Sequence, residues 1–187
     1  MESYVWHLVH GLSARGLTVS VVCERVMESP GEAINVIEIE SSPQRPRWKA
    51  MMVFRLRVDE AIKRAFQGQS IIIHSHERTV GHQITTFHGP PIAKSGVMGF
   101  MSKFNRRITA WSRMESDELM AESVKLILPV SSRVRRELIA RYPSLDRKNM
   151  ELAWPGVEGS ITVPSTESVC DSTGFRFVFV GKEWKRK

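Results

Sequence analysis

Two histidines and a glutamate are close neighbours in the segment His74-Ser75-His76-Glu77. If this segment is extended, side chains two positions apart point to the same side, so the two imidazoles share one face. Imidazole nitrogens are frequent metal ligands, and the adjacent carboxylate would extend such a site. A third ligand is missing, however, and neither cysteine of the chain lies in the Pro-Cys-x-x-Cys segment that zinc deaminases require. We therefore expect no metal site and favour polar contacts between these histidines and a substrate.

A further histidine, His88, stands between a strand-like segment and a rigid turn. Residues 83–87 have the composition of a short strand, and Gly89-Pro90-Pro91 prevents that strand from continuing. Ligands of open α/β sheets bind beyond the carboxyl ends of the parallel strands, and His74, His76 and His88 each follow a predicted strand. We predict that the three histidines contact a substrate at the mouth of a cleft. The alternative is that they fill the core.

The hydrophobic pattern alternates between helical and strand-like segments. Helices are predicted over residues 4–12, 48–66, 99–121 and 132–142, the last capped by Ser131 or Ser132. Strands are predicted over 17–23, 33–39, 70–73, 83–87, 124–130, 150–153 and 175–180. Most of these strands are continuously apolar, which is typical of a parallel sheet covered by helices on both faces. The sequence therefore predicts an α/β fold.

The composition is that of an ordinary globular chain of 187 residues, with a formal net charge of +7. The charge excess lies in the second half: residues 1–93 carry 10 basic and 9 acidic side chains, and residues 94–187 carry 17 and 11. No apolar run approaches the roughly 18 residues of a membrane-spanning helix, and the start lacks the pattern of a secretory signal. Cys23 and Cys170 have neither metal-site nor redox spacing. We therefore expect a cytoplasmic protein in a reducing compartment.

The predicted helix over residues 99–121 combines an apolar stripe with basic side chains on its other faces. The stripe consists of Phe100, Phe104, Ile108 and Trp111, and the basic residues are Lys103, Arg106, Arg107 and Arg113. A stripe of this kind more often packs into the core, which leaves the charges solvated. Alternatively, the helix lies against anionic lipid, and the protein is then peripheral on the inner face of the cytoplasmic membrane.

Five segments, taken in order, resemble the GT-B fold glycosyltransferases of family 4. Residues 2–22 are similar to the first helix and second strand of that family, 71–76 to its hxHxH strand, 86–89 to its Thr-x-His-Gly segment, 130–142 with 154–158 to the run that ends in Asn-Gly-Val-Asp, and 179–187 to FVGRLxxxKG. The resemblance implies two Rossmann-like domains, each a doubly wound parallel sheet, with the active site between them. It also implies a metal-independent, retaining transfer from a nucleotide-diphosphate sugar, which is a substrate, so no cofactor is expected.

The resemblance also assigns roles to individual residues. His88 is the expected catalytic residue, facing the reacting sugar and the acceptor. The expected substrate-binding residues are His74, His76, Glu77, Gly89 and Ser131. Gly181, Lys182 and Lys187 are expected to hold the donor diphosphate, a role that suits fixed positive charges. Lys182 stands where the family usually has Arg, and Pro155 replaces the usual Asn.

The resemblance divides the chain into an acceptor-side domain over residues 1–158, a linker over 159–174, and the start of a donor-binding domain over 175–187. The family has a strand and a Gly-Gly loop before the segment that begins at position 2, and most of the donor-binding domain after position 187. We therefore expect a fragment that has no transferase activity by itself.

These features predict part of a glycosyltransferase that moves a sugar from a nucleotide-diphosphate sugar to a saccharide or lipid-linked acceptor, in lipopolysaccharide or cell-surface polysaccharide synthesis. The alternative is a non-catalytic basic binding module, or an inactive remnant, that contacts anionic lipid or nucleic acid. We expect no nucleic-acid partner, because the basic residues are scattered over several elements and no recognised nucleic-acid-binding module is present.

Overall fold

A computed structural model of the chain describes residues 2–26, 31–42, 45–92, 105–147 and 149–154. These residues form both helices and strands. The helices are α1 (Glu2–Ser13), α2 (Arg47–Ala65), α3 (Arg106–Met120) and α4 (Ser132–Arg141), with a 3-10 helix over Pro143–Arg147. The strands are β1 (Val19–Cys23), β2 (Ile34–Glu38), β3 (His74–Ser75), β4 (Ile84–Phe87), β5 (Leu126–Pro129) and β6 (Asn149–Met150).

The strands form two sheets, and every strand pair in them is parallel. One sheet contains β1 and β2, and the other has the order β3-β4-β5-β6. In the larger sheet, α3 lies in the connection between β4 and β5 and α4 in the connection between β5 and β6, whereas residues 76–83 connect β3 to β4 without a helix. This architecture confirms the predicted α/β fold with parallel sheets. In the larger sheet, the carboxyl ends of β3, β4 and β5 lie at the same edge.

The main core cluster combines side chains of the larger sheet with side chains of the helices that pack on it. Leu119 on α3, Ile127 on β5, Leu138 on α4 and Leu145 on the 3-10 helix are all fully buried. Burial alternates along β5, because successive side chains of a strand point to opposite faces. The cluster therefore fixes the central strands of the larger sheet against two helices that follow the candidate site in sequence.

Several helix ends lie where the sequence predicts them. The Ser131 side chain accepts a hydrogen bond from the Val134 backbone N–H at 3.2 Å, so Ser131 is the N-cap of α4. The helix ends before Pro143, which begins the 3-10 helix. Beyond α1, Gly16 has a φ of 81°, a left-handed conformation that glycine adopts without a steric penalty.

Three predicted elements have clearly different bounds in the structure. The strand predicted over residues 150–153 is observed as β6 over Asn149–Met150, so the two ranges share one residue. The strand predicted over residues 70–73 is wrong: β3 begins at His74, and Ile72 is 77% exposed. The Gln83 side-chain oxygen accepts the Ile73 N–H at 2.7 Å, which satisfies that donor without a strand ladder. An apolar run alone was therefore insufficient to define a strand.

The helix predicted over residues 99–121 begins at Arg106. The Asn105 side chain accepts hydrogen bonds from the backbone N–H groups of Arg107 and Ile108 at 3.1 and 3.4 Å, so Asn105 is its N-cap. Phe100, Lys103 and Phe104 lie outside the described residues, as do Pro155 and the strand predicted over 175–180.

We predict that the core of the larger sheet dominates the stability of the fold. Leu138→Ala removes a fully buried side chain on a helix and should lower the free energy of unfolding by about 2 to 5 kcal/mol, measured by urea denaturation. The matched control is Leu56→Ala, also on a helix but at a position that is 66% exposed, which should change it by less than about 1 kcal/mol. Equal losses for the two variants would contradict this placement of the core.

Candidate functional site

Three histidine rings lie together at the carboxyl ends of β3 and β4. His74 is the first residue of β3, His76 directly follows that strand, and His88 directly follows β4. The ring centroids of His74 and His76 are 4.4 Å apart, and those of His76 and His88 are 5.6 Å apart. Because β3 and β4 are parallel and paired, their ends bring together residues that are twelve positions apart in the sequence.

Tyr4 of α1 contacts two of these rings. Its ring centroid lies 5.7 Å from that of His76 and 5.9 Å from that of His88, and both contacts are edge-to-face. Edge-to-face packing is a preferred arrangement of aromatic rings. The first helix therefore packs against one side of the histidine cluster. The sequence predicted this helix but not its contact with the histidines.

Hydrogen bonds fix the orientation of the three imidazoles. His76 Nδ1 lies 3.3 Å from His88 Nε2, so one of these nitrogens donates to the other when both rings are neutral. His74 Nε2 lies 2.8 Å from the Thr86 hydroxyl oxygen, on the neighbouring strand. The pair formed by His76 and His88 leaves His88 Nδ1 as the remaining hydrogen-bonding atom of that ring.

Burial keeps the three imidazoles uncharged at neutral pH. Desolvation, together with charge repulsion from the neighbouring His74 and His88, lowers the pKa of His76 to about 3. Desolvation also lowers the pKa values of His74 and His88. A neutral imidazole can both donate and accept a hydrogen bond. The cluster is therefore suited to a ligand hydroxyl, which does the same.

The other predicted substrate-binding residues lie near this edge of the sheet. Gly89 directly follows His88 and is half-buried. Ser131 lies two residues after β5, and its oxygen accepts the capping hydrogen bond of α4, which leaves the hydroxyl proton for another partner. The Glu77 backbone oxygen accepts hydrogen bonds from the Ser75 hydroxyl at 2.6 Å and the Thr79 N–H at 2.8 Å. Burial raises the pKa of the Glu77 carboxyl group.

A group of charged side chains, two of them buried, includes Arg78, which lies two residues after His76. Arg78 Nη1 is 3.1 Å from Glu115 Oε2 and 3.5 Å from Glu118 Oε2. Glu115 is fully buried and Glu118 is 2% exposed. Burial raises the pKa of Glu118 to about 7, although Arg78 and a hydrogen bond from Thr85 oppose this shift. The two carboxylates share one guanidinium group, so the cluster carries a net negative charge whenever both are ionised.

Buried polar side chains connect this group to β3 and β4. The Thr85 hydroxyl donates to Glu118 Oε1 at 2.9 Å, and His82 Nε2 donates to the Glu118 backbone oxygen at 3.0 Å. His82 Nδ1 lies 3.4 Å from the Thr79 hydroxyl, which lies 2.7 Å from the Ser75 hydroxyl. Buried polar groups of this kind are costly unless they are paired, so the network ties the loop after β3 to α3.

Sequence reasoning missed Arg78, Glu115 and Glu118. The sequence pattern assigned no role to the acidic residues of the predicted helix over 99–121. Glu115 and Glu118 are three positions apart and so share a face of the helix, and that spacing is the signal that was available. The residues with which they pair lie more than twenty positions away, so the sequence pattern alone does not reveal the pairing.

The predicted diphosphate-binding residues Gly181, Lys182 and Lys187 lie outside the described residues. In the part of the chain that the structure describes, no group of three or more His, Cys, Asp or Glu side chains is arranged to hold a metal ion. Within the same ranges, no helix is both long enough and apolar enough to cross a bilayer.

The burial of His76 generates a prediction about pH. The unfolded chain protonates this imidazole below about pH 6.5, whereas the folded protein does so only near pH 3, so stability must fall as the pH drops through this window. Between pH 7 and pH 5, the wild type should lose roughly 2 kcal/mol more unfolding free energy than His76→Gln, which cannot titrate. Urea denaturation at both pH values measures the difference, and parallel losses would show that His76 is not desolvated.

Comparison with known families agrees with this arrangement. The sequence model of the family described as Glycosyltransferase Family 4 matches residues 1–159. No curated protein and no solved structure matches the chain. The matched range includes every described strand and helix, the histidine cluster and the buried charged side chains. With its parallel sheets and four described helices, the chain is a Rossmann-like domain that belongs to glycosyltransferase family 4.

Proposed function

We propose that the histidine cluster binds the acceptor and the reacting sugar in a transfer from a nucleotide-diphosphate sugar to a saccharide or lipid-linked acceptor. The observation that carries this proposal is the position of His88. It directly follows β4, where the carboxyl ends of the parallel strands lie, and it is hydrogen-bonded to His76. Ligands of parallel α/β sheets bind at this edge. Membership of a glycosyltransferase family supports a sugar as the ligand.

The electrostatics of the cluster favour hydroxyl groups over phosphate. Burial lowers the pKa of each of the three histidines, so the rings offer directional hydrogen bonds and no positive charge near pH 7. A donor diphosphate is better stabilised by cations. We therefore assign the diphosphate to Gly181, Lys182 and Lys187, as the family resemblance suggests, and the sugar hydroxyls to His88 with its neighbours.

We assign different tasks to the residues at this edge. His88 is proposed as the catalytic residue that contacts the reacting sugar, while His74, His76, Glu77, Gly89 and Ser131 shape the substrate site. Retention of the anomeric configuration, a cell-surface polysaccharide or lipopolysaccharide product and the absence of a cofactor are further parts of this proposal. They follow from the family resemblance alone.

Replacement of His88 tests the assignment. In the enzyme that joins this domain to a donor-binding domain, His88→Ala should lower kcat at least tenfold with little change in Tm, because a positioned polar group is lost from a half-buried site. Release of the nucleoside diphosphate in the presence of acceptor measures the rate. His7→Ala, which removes an exposed histidine of α1, is the control. An unchanged rate in His88→Ala would remove His88 from the reaction.

The basic residues of α3 support a position beside an anionic membrane. Arg106, Arg107 and Arg113 are exposed, and Arg106 and Arg113 are two helical turns apart and so share a face. Each exposed cation near an anionic leaflet contributes about 1 kcal/mol to binding. We propose that these residues, together with Lys103, hold the domain near a lipid-linked acceptor on the cytoplasmic membrane face.

Vesicle sedimentation tests this surface. The wild type should bind vesicles that contain phosphatidylglycerol, and binding should weaken with added salt because the attraction is screened. Replacement of Arg106, Arg107 and Arg113 by Gln should lower the bound fraction several-fold. The matched control replaces Arg133, Arg135 and Arg136, three exposed arginines of α4, by Gln and should bind as the wild type does. Equal binding by the two triple variants would contradict a specific role for α3.

A further inference from the structure

The buried Glu115 side chain contacts three separate parts of the chain. Both of its carboxylate oxygens accept a hydrogen bond from the Ile92 backbone N–H, at 3.1 and 3.0 Å. The Tyr142 hydroxyl donates to Oε1 at 2.9 Å, and Arg78 Nη1 lies 3.1 Å from Oε2. Carboxylates accept several hydrogen bonds at once, whereas an amide side chain has a single acceptor oxygen. Gln at position 115 would therefore not accept all the hydrogen bonds that Glu115 accepts.

The contact with Ile92 restrains the segment that carries His88. Between Gly89 and Ile92 stand Pro90 and Pro91, which have no backbone N–H. Ile92 therefore offers the first backbone donor after Gly89, and Glu115 accepts from it. The two prolines also have a fixed φ, which makes the segment between His88 and Ile92 stiff. A hydrogen bond that holds Ile92 therefore also restricts the position of His88.

The contact with Arg78 restrains the segment that carries His76. Arg78 lies two residues after His76, and its guanidinium group also packs over the rings of Phe87 and Trp111, at 5.3 and 5.8 Å from their centroids. A guanidinium group that is paired and stacked in this way has little rotational freedom. Glu115 therefore holds both histidine-bearing segments from one point on α3.

We propose that Glu115 is a positioning residue that sets the hydrogen bond between His76 and His88. For catalysis, this inference rests on the proposed function, because it is the His76–His88 pair that is proposed to orient a sugar hydroxyl. The geometric part does not depend on it. Glu115 touches neither ring, and it acts through Ile92 on one side and Arg78 on the other.

The neighbouring Glu118 is a matched control on the same helix. It is similarly buried and lies within ion-pair distance of Arg78, but its side-chain hydrogen bond comes from Thr85 in the sheet, away from the Ile92 segment. Glu118→Gln therefore removes a buried carboxylate without releasing Ile92. Tyr142→Phe is a second control, since it removes one donor to Glu115 and leaves the other two.

Nuclear magnetic resonance of the imidazole nitrogens in the 187-residue chain tests the proposal. In Glu115→Gln, the nitrogen resonances of His76 and His88 should shift, and the pKa of His76 should rise by at least one unit as the pair opens to water. Glu118→Gln and Tyr142→Phe should leave these resonances in place. If Glu115→Gln does not fold, Glu115→Asp keeps the charge beside Arg78, is too short to hold Ile92, and should give the same shifts.

Unchanged His76 and His88 resonances in a folded Glu115 variant would overturn the proposal and leave Glu115 with a purely structural role. Equal shifts in the Glu118→Gln control would overturn it as well. Because the measurement needs no donor or acceptor, its result is independent of the proposed transfer. In the enzyme with a donor-binding domain, Glu115→Gln should lower kcat at least tenfold more than Glu118→Gln, with similar KM values for the two variants.

Discussion

The buried carboxylates of α3 and the arginine that pairs with them connect several elements of this domain. Two carboxylates, Glu115 and Glu118, lie beside the single guanidinium group of Arg78, where water cannot solvate them. A buried ion is stable only when it is paired and hydrogen-bonded, so each of these side chains restricts the elements around it. Through them, α3 is joined to the loop after β3, to the segment after β4 and to the end of α4.

The histidine cluster differs, since its three half-buried rings are uncharged near neutral pH. His74, His76 and His88 lie close enough together to repel one another if protonated, and burial disfavours the charged form further. The outcome is a set of uncharged donors and acceptors, and His74 and His76 lie on the same segment as Arg78, the cation that pairs with the buried carboxylates. The proposed role of Glu115 links the two groups, because its contacts with Ile92 and Arg78 would hold the segments that carry His76 and His88.

Residue patterns predicted the parts of the structure that depend on local chemistry. β5 and α4 lie within the predicted segments, and Ser131 caps α4 as its hydroxyl group suggests. The clustering of His74, His76 and His88 was predictable because parallel strands end at a common edge. The first strand of the larger sheet was misplaced, since three consecutive isoleucines, Ile71 to Ile73, resemble a buried strand although Ile72 is exposed.

The contacts that were not predictable depend on side chains far apart in sequence. Glu115 pairs with Arg78 and Tyr142, but acidic residues of a helix are most often solvated, so the pattern gave no reason to expect a buried carboxylate. The contact of Tyr4 with His76 was not predictable either, because the two residues belong to elements that are far apart in the sequence. Pairings of this kind require the packing of three or more elements, which no single segment encodes.

The division of the strands into two sheets has a consequence for association. Among the described residues, β1 and β3 each pair with a single strand, and so do β2 and β6, which gives the domain four sheet edges where one continuous sheet would have two. An edge strand presents backbone N–H and C=O groups that can pair with another chain. β3 has only two residues, which makes it a poor template, whereas β1 and β2 have five each. At high concentration, self-association of this domain is therefore expected to begin at the two-stranded sheet.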